Sequence, residues 1–163
     1  MAKKKHVVTN AMRMLTAAKI PFDVVEYEAQ EVTQNFGSYI AELTGIPHQQ
    51  AFKTLVGIGD KTGPVVAVIG VDDEVDLKKL AAQSGNKSVS LVPVKDLLAL
   101  TGYIRGSVSP IGMKKKFPTF VSSKCLEFEK MGVSGGVCGI TLMIAPSNLE
   151  KATGAKMCEI TYE

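Results

Sequence analysis

Lys53 stands in the apolar run Ala51-Phe52-Lys53-Thr54-Leu55-Val56, where strand alternation puts it on the side of Ala51 and Leu55 and opposite Phe52, Thr54 and Val56. A cation at such a position has two readings. It is a solvent-facing lysine on a sheet with one wet side, or a partly desolvated ammonium that binds phosphate or carbonyl oxygen. A second concentration lies at Gly102-Tyr103-Ile104-Arg105-Gly106-Ser107-Val108-Ser109-Pro110-Ile111-Gly112, where three glycines, two serines and a proline preclude a regular element. Such a segment either connects its neighbours or turns successive backbone N–H groups toward one point, a nest for a phosphate or a developing oxyanion. No helix pattern opens directly after it, so a dinucleotide fingerprint is not supported.

Lys114-Lys115-Lys116 follows at once. A charge run is ordinarily a solvated face, but beside a nest-like loop three cations suit a polyanion whose reactive end enters a cavity while its phosphates stay at the rim. Lys3 to Lys5 reads as a basic tail. Ser134-Gly135-Gly136-Val137-Cys138-Gly139 is a second glycine-rich turn, read as a hairpin loop unless Cys138 does chemistry there. Cys138 as a nucleophile needs a basic partner such as His48 or His6, and no local motif joins them. Two histidines and three scattered cysteines give no metal-ligand spacing, so no metal site and no cofactor are expected.

The elements that must hold these residues are legible in outline. Ala11, Met14, Leu15 and Ala18 follow the i, i+3, i+4, i+7 spacing after a Thr9 cap, which predicts a helix over Asn10 to Lys19, ended before Pro21. Phe22 to Tyr27 predicts a strand, Glu28 to Asn35 a loop, and Tyr39, Ile40 and Leu43 a short helix closed by Gly45. Ala51 to Ile58 and Pro64 to Val71 are apolar runs around a hairpin-like Gly59-Asp60-Lys61-Thr62-Gly63 and belong at the centre of a sheet. Asp76 caps a helix through Ser84 with Gly85 after it, Ser88 to Leu91 is a short strand, and Pro93 opens a helix that stops near Gly102. Thr119 to Ser122, Phe128 to Val133, Gly139 to Ile144 and Lys156 to Ile160 read as strands, the last preceded by a small helix from Ser147.

Strands outnumber helices and regular βα alternation is absent. That favours an α+β fold with a mixed, mostly antiparallel sheet, curled and barrel-like, surrounded by helices as one domain over 1–163. The composition agrees. With 45% apolar and 21% charged residues the chain can bury a core, and a net charge of +3 makes any affinity for nucleic acid a matter of local clustering. Cys125, Cys138 and Cys158 are odd in number and unpaired in spacing, there is no signal-peptide pattern, and no apolar run approaches about 20 residues. Free thiols, a cytoplasmic location and no membrane association are expected.

Taken in order, Gln34-Asn35-Phe36-Gly37, Phe52-Lys53-Thr54-Leu55, Asp76-Leu77-Lys78-Lys79, the Gly102 to Gly112 segment and Val133-Ser134-Gly135-Gly136 resemble the YbaK/EbsC family. These are free-standing relatives of the prolyl-tRNA synthetase editing domain. The resemblance covers nearly the whole chain and favours the branch acting on Cys-tRNA(Pro) over the alanine-specific one. It implies a cavity for the aminoacylated 3′ end of tRNA(Pro), with prolyl-tRNA synthetase as a further partner. Lys53 matches the family's essential lysine. Gly106 and Pro110 match the ends of the loop whose backbone holds the ester carbonyl, with Ser107 inside it. Tyr27, Phe36, Thr54 and Ser134 match residues that shape the pocket, and Lys114, Lys115 and Lys116 are candidate tRNA contacts. Where close relatives carry Asp this chain has Thr141, a further candidate for the substrate wall, and their basic pair in the preceding turn is Val137-Cys138 here.

The function implied is removal of cysteine from mischarged Cys-tRNA(Pro), with Cys-tRNA(Cys) as a possible second substrate. The substrate's own thiol attacks the ester in a backbone nest. An enzyme that accepts proline rejects a smaller amino acid by only about 1–3 kcal/mol per missing methylene, so a second sieve is required. Two other readings compete: an Ala-tRNA(Pro) deacylase, and a non-catalytic module that binds nucleotide or tRNA ends.

Overall fold

A computed structural model of the chain describes residues 8–27 and 44–162. The helix starts lie where short polar side chains satisfy free amides. Thr9 accepts from the Met12 amide at the head of α1 (Asn10–Ala17), and Asp76 accepts from the Lys78 and Lys79 amides at the head of α2 (Leu77–Ser84). α1 ends two residues before the expected Lys19. Ala18 caps it, Lys19 turns into the left-handed region at φ 58°, and the Ile20 amide closes back on the Leu15 carbonyl at 2.9 Å. α3 (Val94–Thr101) and α4 (Pro146–Thr153) follow prolines or contain one at the first turn, and each ends on a left-handed glycine. The segment Glu28 to Asn35 and the short helix expected around Tyr39, Ile40 and Leu43 lie outside the described residues.

The strands form two hydrogen-bonded sheets, not one closed surface. β1 (Asp23–Glu26), β7 (Ile140–Ile144) and β6 (Met131–Ser134) make an antiparallel sheet in that order. β4 (Val89–Leu91), β2 (Phe52–Gly59), β3 (Gly63–Gly70), β5 (Thr119–Ser122) and β8 (Lys156–Cys158) make the second, antiparallel across β4, β2 and β3 and parallel across β3, β5 and β8. The architecture is therefore α+β with a mixed strand pattern, as expected, but the barrel-like closure is not present. The parallel strands arrive through long connections that carry helices, so β5 and β8 extend one sheet while the β6–β7 hairpin and β1 form another. The expected strand at Phe128 begins later, at Met131, because Ser123–Glu127 takes a 3-10 turn first.

Alternation then divides the core. Phe52, Val66, Val68 and Val121 of the larger sheet pack against Met131, Val133, Leu142 and Ile144 of the smaller one, with Ala11 and Leu15 of α1 and Leu149 of α4 in the same cluster. The other side of β3, with Val65, Ala67 and Ile69, packs on Leu80 and Ala81 of α2. A single parallel bridge, Ala51 to Gly132, links the two sheets where β2 begins.

Candidate functional site

That bridge decides which residues share a surface. It sets Ala51 beside Gly132, so Lys53 and Ser134, each two residues further along, belong to the same side of the joined strands. Ser134 lies opposite Thr141, and Thr141 opposite Val25, so Tyr27 continues that side at the end of β1. Four sequence candidates, Lys53, Ser134, Thr141 and Tyr27, therefore share one face. Phe36 lies outside the described residues.

The turn 134–139 is the centre of this arrangement. The Ser134 hydroxyl accepts from the Gly136 amide at 3.1 Å, the Gly135 amide reaches the Ile140 carbonyl at 2.9 Å, and the Tyr27 amide reaches the Gly139 carbonyl at 2.9 Å. Burial pushes the half-buried Tyr27 phenol upward, the nearby Cys138 thiol adds to that, and the Gly139 amide opposes it. Thr141 is 6% exposed, and Cys138 is an exposed free thiol.

Lys53 is half-buried, its main chain pairs in the β2–β3 ladder opposite Ile69, and its ammonium makes no hydrogen bond or ion pair among the described residues. Thr54 belongs to the other side of β2, between Phe52 and Val56. Its Oγ1 is enclosed and has no hydrogen-bond partner, the single buried side-chain polar atom in that state among the described residues. Such an atom costs free energy unless something pairs with it.

The Gly102 to Gly112 segment packs on the Thr54 side, because Val108 and Tyr103 form one cluster with Val56. Lys53 and the loop thus approach from opposite sides of β2. The loop is held tightly. Ser107 is 3% exposed and its hydroxyl and amide both donate to the Ile104 carbonyl, at 3.1 and 3.0 Å. Ser109 is fully buried and accepts from the Ile111 amide at 3.2 Å, and Pro110 is buried behind it. Gly106 takes φ 89°. The amides of Ile104, Arg105, Gly106, Val108, Ser109 and Gly112 donate to no group among the described residues, and three of these, Gly106, Val108 and Ser109, fall within the 106–110 stretch.

Lys114, Lys115 and Lys116 are all exposed, and the structure gives them separate surroundings. The Lys114 amide donates to the Thr101 carbonyl at 3.1 Å, and its stem lies 3.3 Å from where a side chain at Gly102 would start. Lys116 carries its ammonium over Gly154, the cap of α4, where a cation complements the helix carbonyl end. Lys115 and Lys116 also border a cleft of about 70 Å³ lined by Met14, Pro110, Phe117 and Thr153.

Sequence reasoning missed Tyr103, whose buried ring touches both glycine-rich segments, and Asn86, which ties the β2–β3 turn to the chain after α2. The signal for Tyr103 was a large aromatic at the mouth of a glycine-flanked loop. For Asn86 there was none beyond a turn-forming residue after Gly85.

Comparison with known proteins places this geometry. Residues 31–152 match the aminoacyl-tRNA editing domain family. An Enterococcus faecalis protein named "Putative Cys-tRNA(Pro)/Cys-tRNA(Cys) deacylase EbsC" is 48% identical over 162 residues, covering 99% of this chain and 98% of that one. A proline–tRNA ligase of Thermodesulfovibrio yellowstonii is 31% identical over 90 residues, covering 55% of this chain and 15% of the ligase. A solved structure described as "a putative trans-editing enzyme for prolyl tRNA synthetase" superimposes with a TM-score of 0.81 at 22% identity, covering 97% of this chain and all of that one, a likeness of fold.

Proposed function

The chain belongs to the aminoacyl-tRNA editing domain family, in its YbaK/EbsC-like trans-editing group, and from that premise we propose that it deacylates Cys-tRNA(Pro), with Cys-tRNA(Cys) as a second substrate. The observation that carries the reading is a 106–110 loop fixed by its own hydrogen bonds in which, among the described residues, the amides of Gly106 and Val108 donate to no group. Donors held in place before the reaction stabilise an oxyanion without reorganising, and an ester already activated asks for little more.

In this reading the terminal adenosine enters between the loop and the turn 134–139, with the ester carbonyl oxygen on the amides. The cysteinyl thiol attacks its own carbonyl carbon. The C–S bond forms, the bond to the ribose oxygen breaks, and the thiol proton ends on the released ribose hydroxyl, giving a cyclic thiolactone and free tRNA. Lys53, on the face it shares with Ser134, Thr141 and Tyr27 and across β2 from the loop, offers its ammonium to a phosphate of the tRNA end rather than to the ester. No protein nucleophile takes part, which agrees with the distance in sequence between Cys138 and any basic partner. The site of action is the cytoplasm, alongside prolyl-tRNA synthetase.

The test is ester loss from Cys-tRNA(Pro), Ala-tRNA(Pro) and Pro-tRNA(Pro), for the wild type and Lys53→Ala. Cleavage of the cysteinyl ester alone, reduced about hundredfold or more in the variant, supports the proposal. Cleavage of the alanyl ester with the cysteinyl one intact replaces it with an alanine deacylase. Survival of all three esters while tRNA binds replaces it with a binding module.

A further inference from the structure

Tyr103 is 7% exposed and stands where four parts of the chain meet. Its amide donates to Thr101 Oγ1 at 3.0 Å, and that hydroxyl donates to Leu97 in α3, so its main chain is fixed to the end of a helix. Its phenol donates to the Ile111 carbonyl at 2.6 Å, closing the loop from one end to the other. Beyond Ile111, the Gly112 carbonyl accepts from Asn10 Nδ2 at 2.8 Å, and a Cβ at Gly112 would lie 2.8 Å from the phenol oxygen and 2.9 Å from the Ala11 amide. On its other edge the ring meets the second glycine-rich turn, since a Cβ at Gly136 would stand 2.8 Å from Tyr103 Cε1. Both glycines take positive φ, 79° and 96°, so each lets the chain bend and lets the ring approach.

We infer that Tyr103 is a positioning residue for the reaction, a strut that sets the distance between the amides of the 106–110 loop and the Ser134 turn. It touches neither the ester nor the tRNA, and it rests on the deacylase reading for its effect on rate. Ile111 also packs in the core with Val133 and Ile140, and Asn10 holds Gly112, but the phenol supplies the hydrogen bond that ties the Ile111 carbonyl to the ring beside Gly136, so its loss loosens the loop's far end while leaving that packing in place. A displacement of this kind alters how the transition state is held more than how the polynucleotide is bound.

The experiment compares the full-length wild type and Tyr103→Phe at a temperature where both are folded by circular dichroism. It measures kcat and KM for Cys-tRNA(Pro) together with amide hydrogen exchange. The expected result is a kcat lower by about tenfold to hundredfold with KM within about twofold, and faster exchange confined to 106–112 and 134–139. An unchanged kcat, a change in KM alone, or exchange that is unaltered or accelerated throughout the core overturns the inference. If the wild type cleaves none of the esters, the deacylase reading fails by itself, and localised exchange still decides whether the strut exists. If Tyr103→Phe does not fold, Gly136→Ala presses on the same ring from the other turn and must lower kcat likewise. A fully active Gly136→Ala then counts against the strut.

Discussion

The amide of Tyr27 donates to the carbonyl of Gly139 at 2.9 Å, which carries the β1–β7 pairing one step past Ile140 and into the glycine-rich turn. Gly139 takes φ 99°, and a Cβ there would stand 3.1 Å from the Tyr27 carbonyl oxygen. Gly139→Ala is expected to cost about 1 to 2 kcal/mol in urea unfolding and to lower ester cleavage with it. A variant as stable as the wild type would show that the turn does not need this backbone conformation.

Asn86 predicts the opposite pattern, a loss of stability without a loss of chemistry. Its side-chain carbonyl accepts from the amides of Lys61 and Thr62 at 2.9 and 3.0 Å, and its amide group donates to Thr62 Oγ1 and Ser84 Oγ. Asn86→Ala strands both turn amides, at a cost of about 2 kcal/mol, while the per-molecule rate of the folded protein stays at the wild-type value. Urea melts and initial rates measured on one preparation separate the two.

Alkaline pH acts through buried acids. Burial pushes the Tyr103 phenol from 10.0 up to about 12 and the Cys125 thiol from 9.0 up to about 11. Both groups are almost wholly neutral in either state below about pH 8, so their contribution to stability is complete there. As pH rises the unfolded chain ionises first, and the stability is lost through the window from 9 to 12, at up to about 1.4 kcal/mol per pH unit for each group while it lies between its two values. Tyr103→Phe should flatten the fall between pH 10 and 12 in a series of urea melts, whereas a slope identical to the wild type would mean the phenol ionises in place.

Lys114 and Lys116 test the outer contacts. Substituting both with Ala should weaken tRNA binding and reduce the slope of log affinity against log salt by about 1 to 2, with the thermal midpoint little changed apart from the lost cation over Gly154. An affinity that does not respond across the salt series would remove these lysines from the tRNA path.

The thiols should separate by burial. Cys138 is exposed, whereas Cys125 and Cys158 are buried and pushed upward by desolvation. One equivalent of a disulfide reagent should react quickly with the native protein and map to Cys138, the others reacting only in denaturant. Two fast thiols would contradict the packing around Met157 and Cys125, whose sulfurs lie 3.6 Å apart.

Local chemistry was the legible part of this chain. The Asp76 cap, the Gly85 and Gly102 stops, the hairpin at 59–63 and the alternation that sets Lys53 against Thr54 all depend on neighbours in sequence. The pairing of β5 and β8 was not legible, because parallel partners are joined through long connections whose return point no local pattern states. The site divides in the same way. Loop composition marked the 106–110 backbone and the Ser134 turn, but the residue that holds one to the other, Tyr103, acts through contacts remote in sequence. The common face of Lys53 and Ser134 follows from one bridge, Ala51 to Gly132, that no periodicity announces.

That bridge is the only ladder contact between the two sheets among the described residues, so the angle at which the glycine-rich turn is presented to β2 is not ruled by hydrogen bonds. Hydrocarbon bulk sets it instead: Phe52, Val66 and Val68 on one flank lean on Met131, Val133 and Leu142 on the other. A methylene gained or lost deep in that filling shifts the turn against β2 without touching any residue of the shared face, so the layout of that surface is inherited from the interior as much as from the side chains that form it.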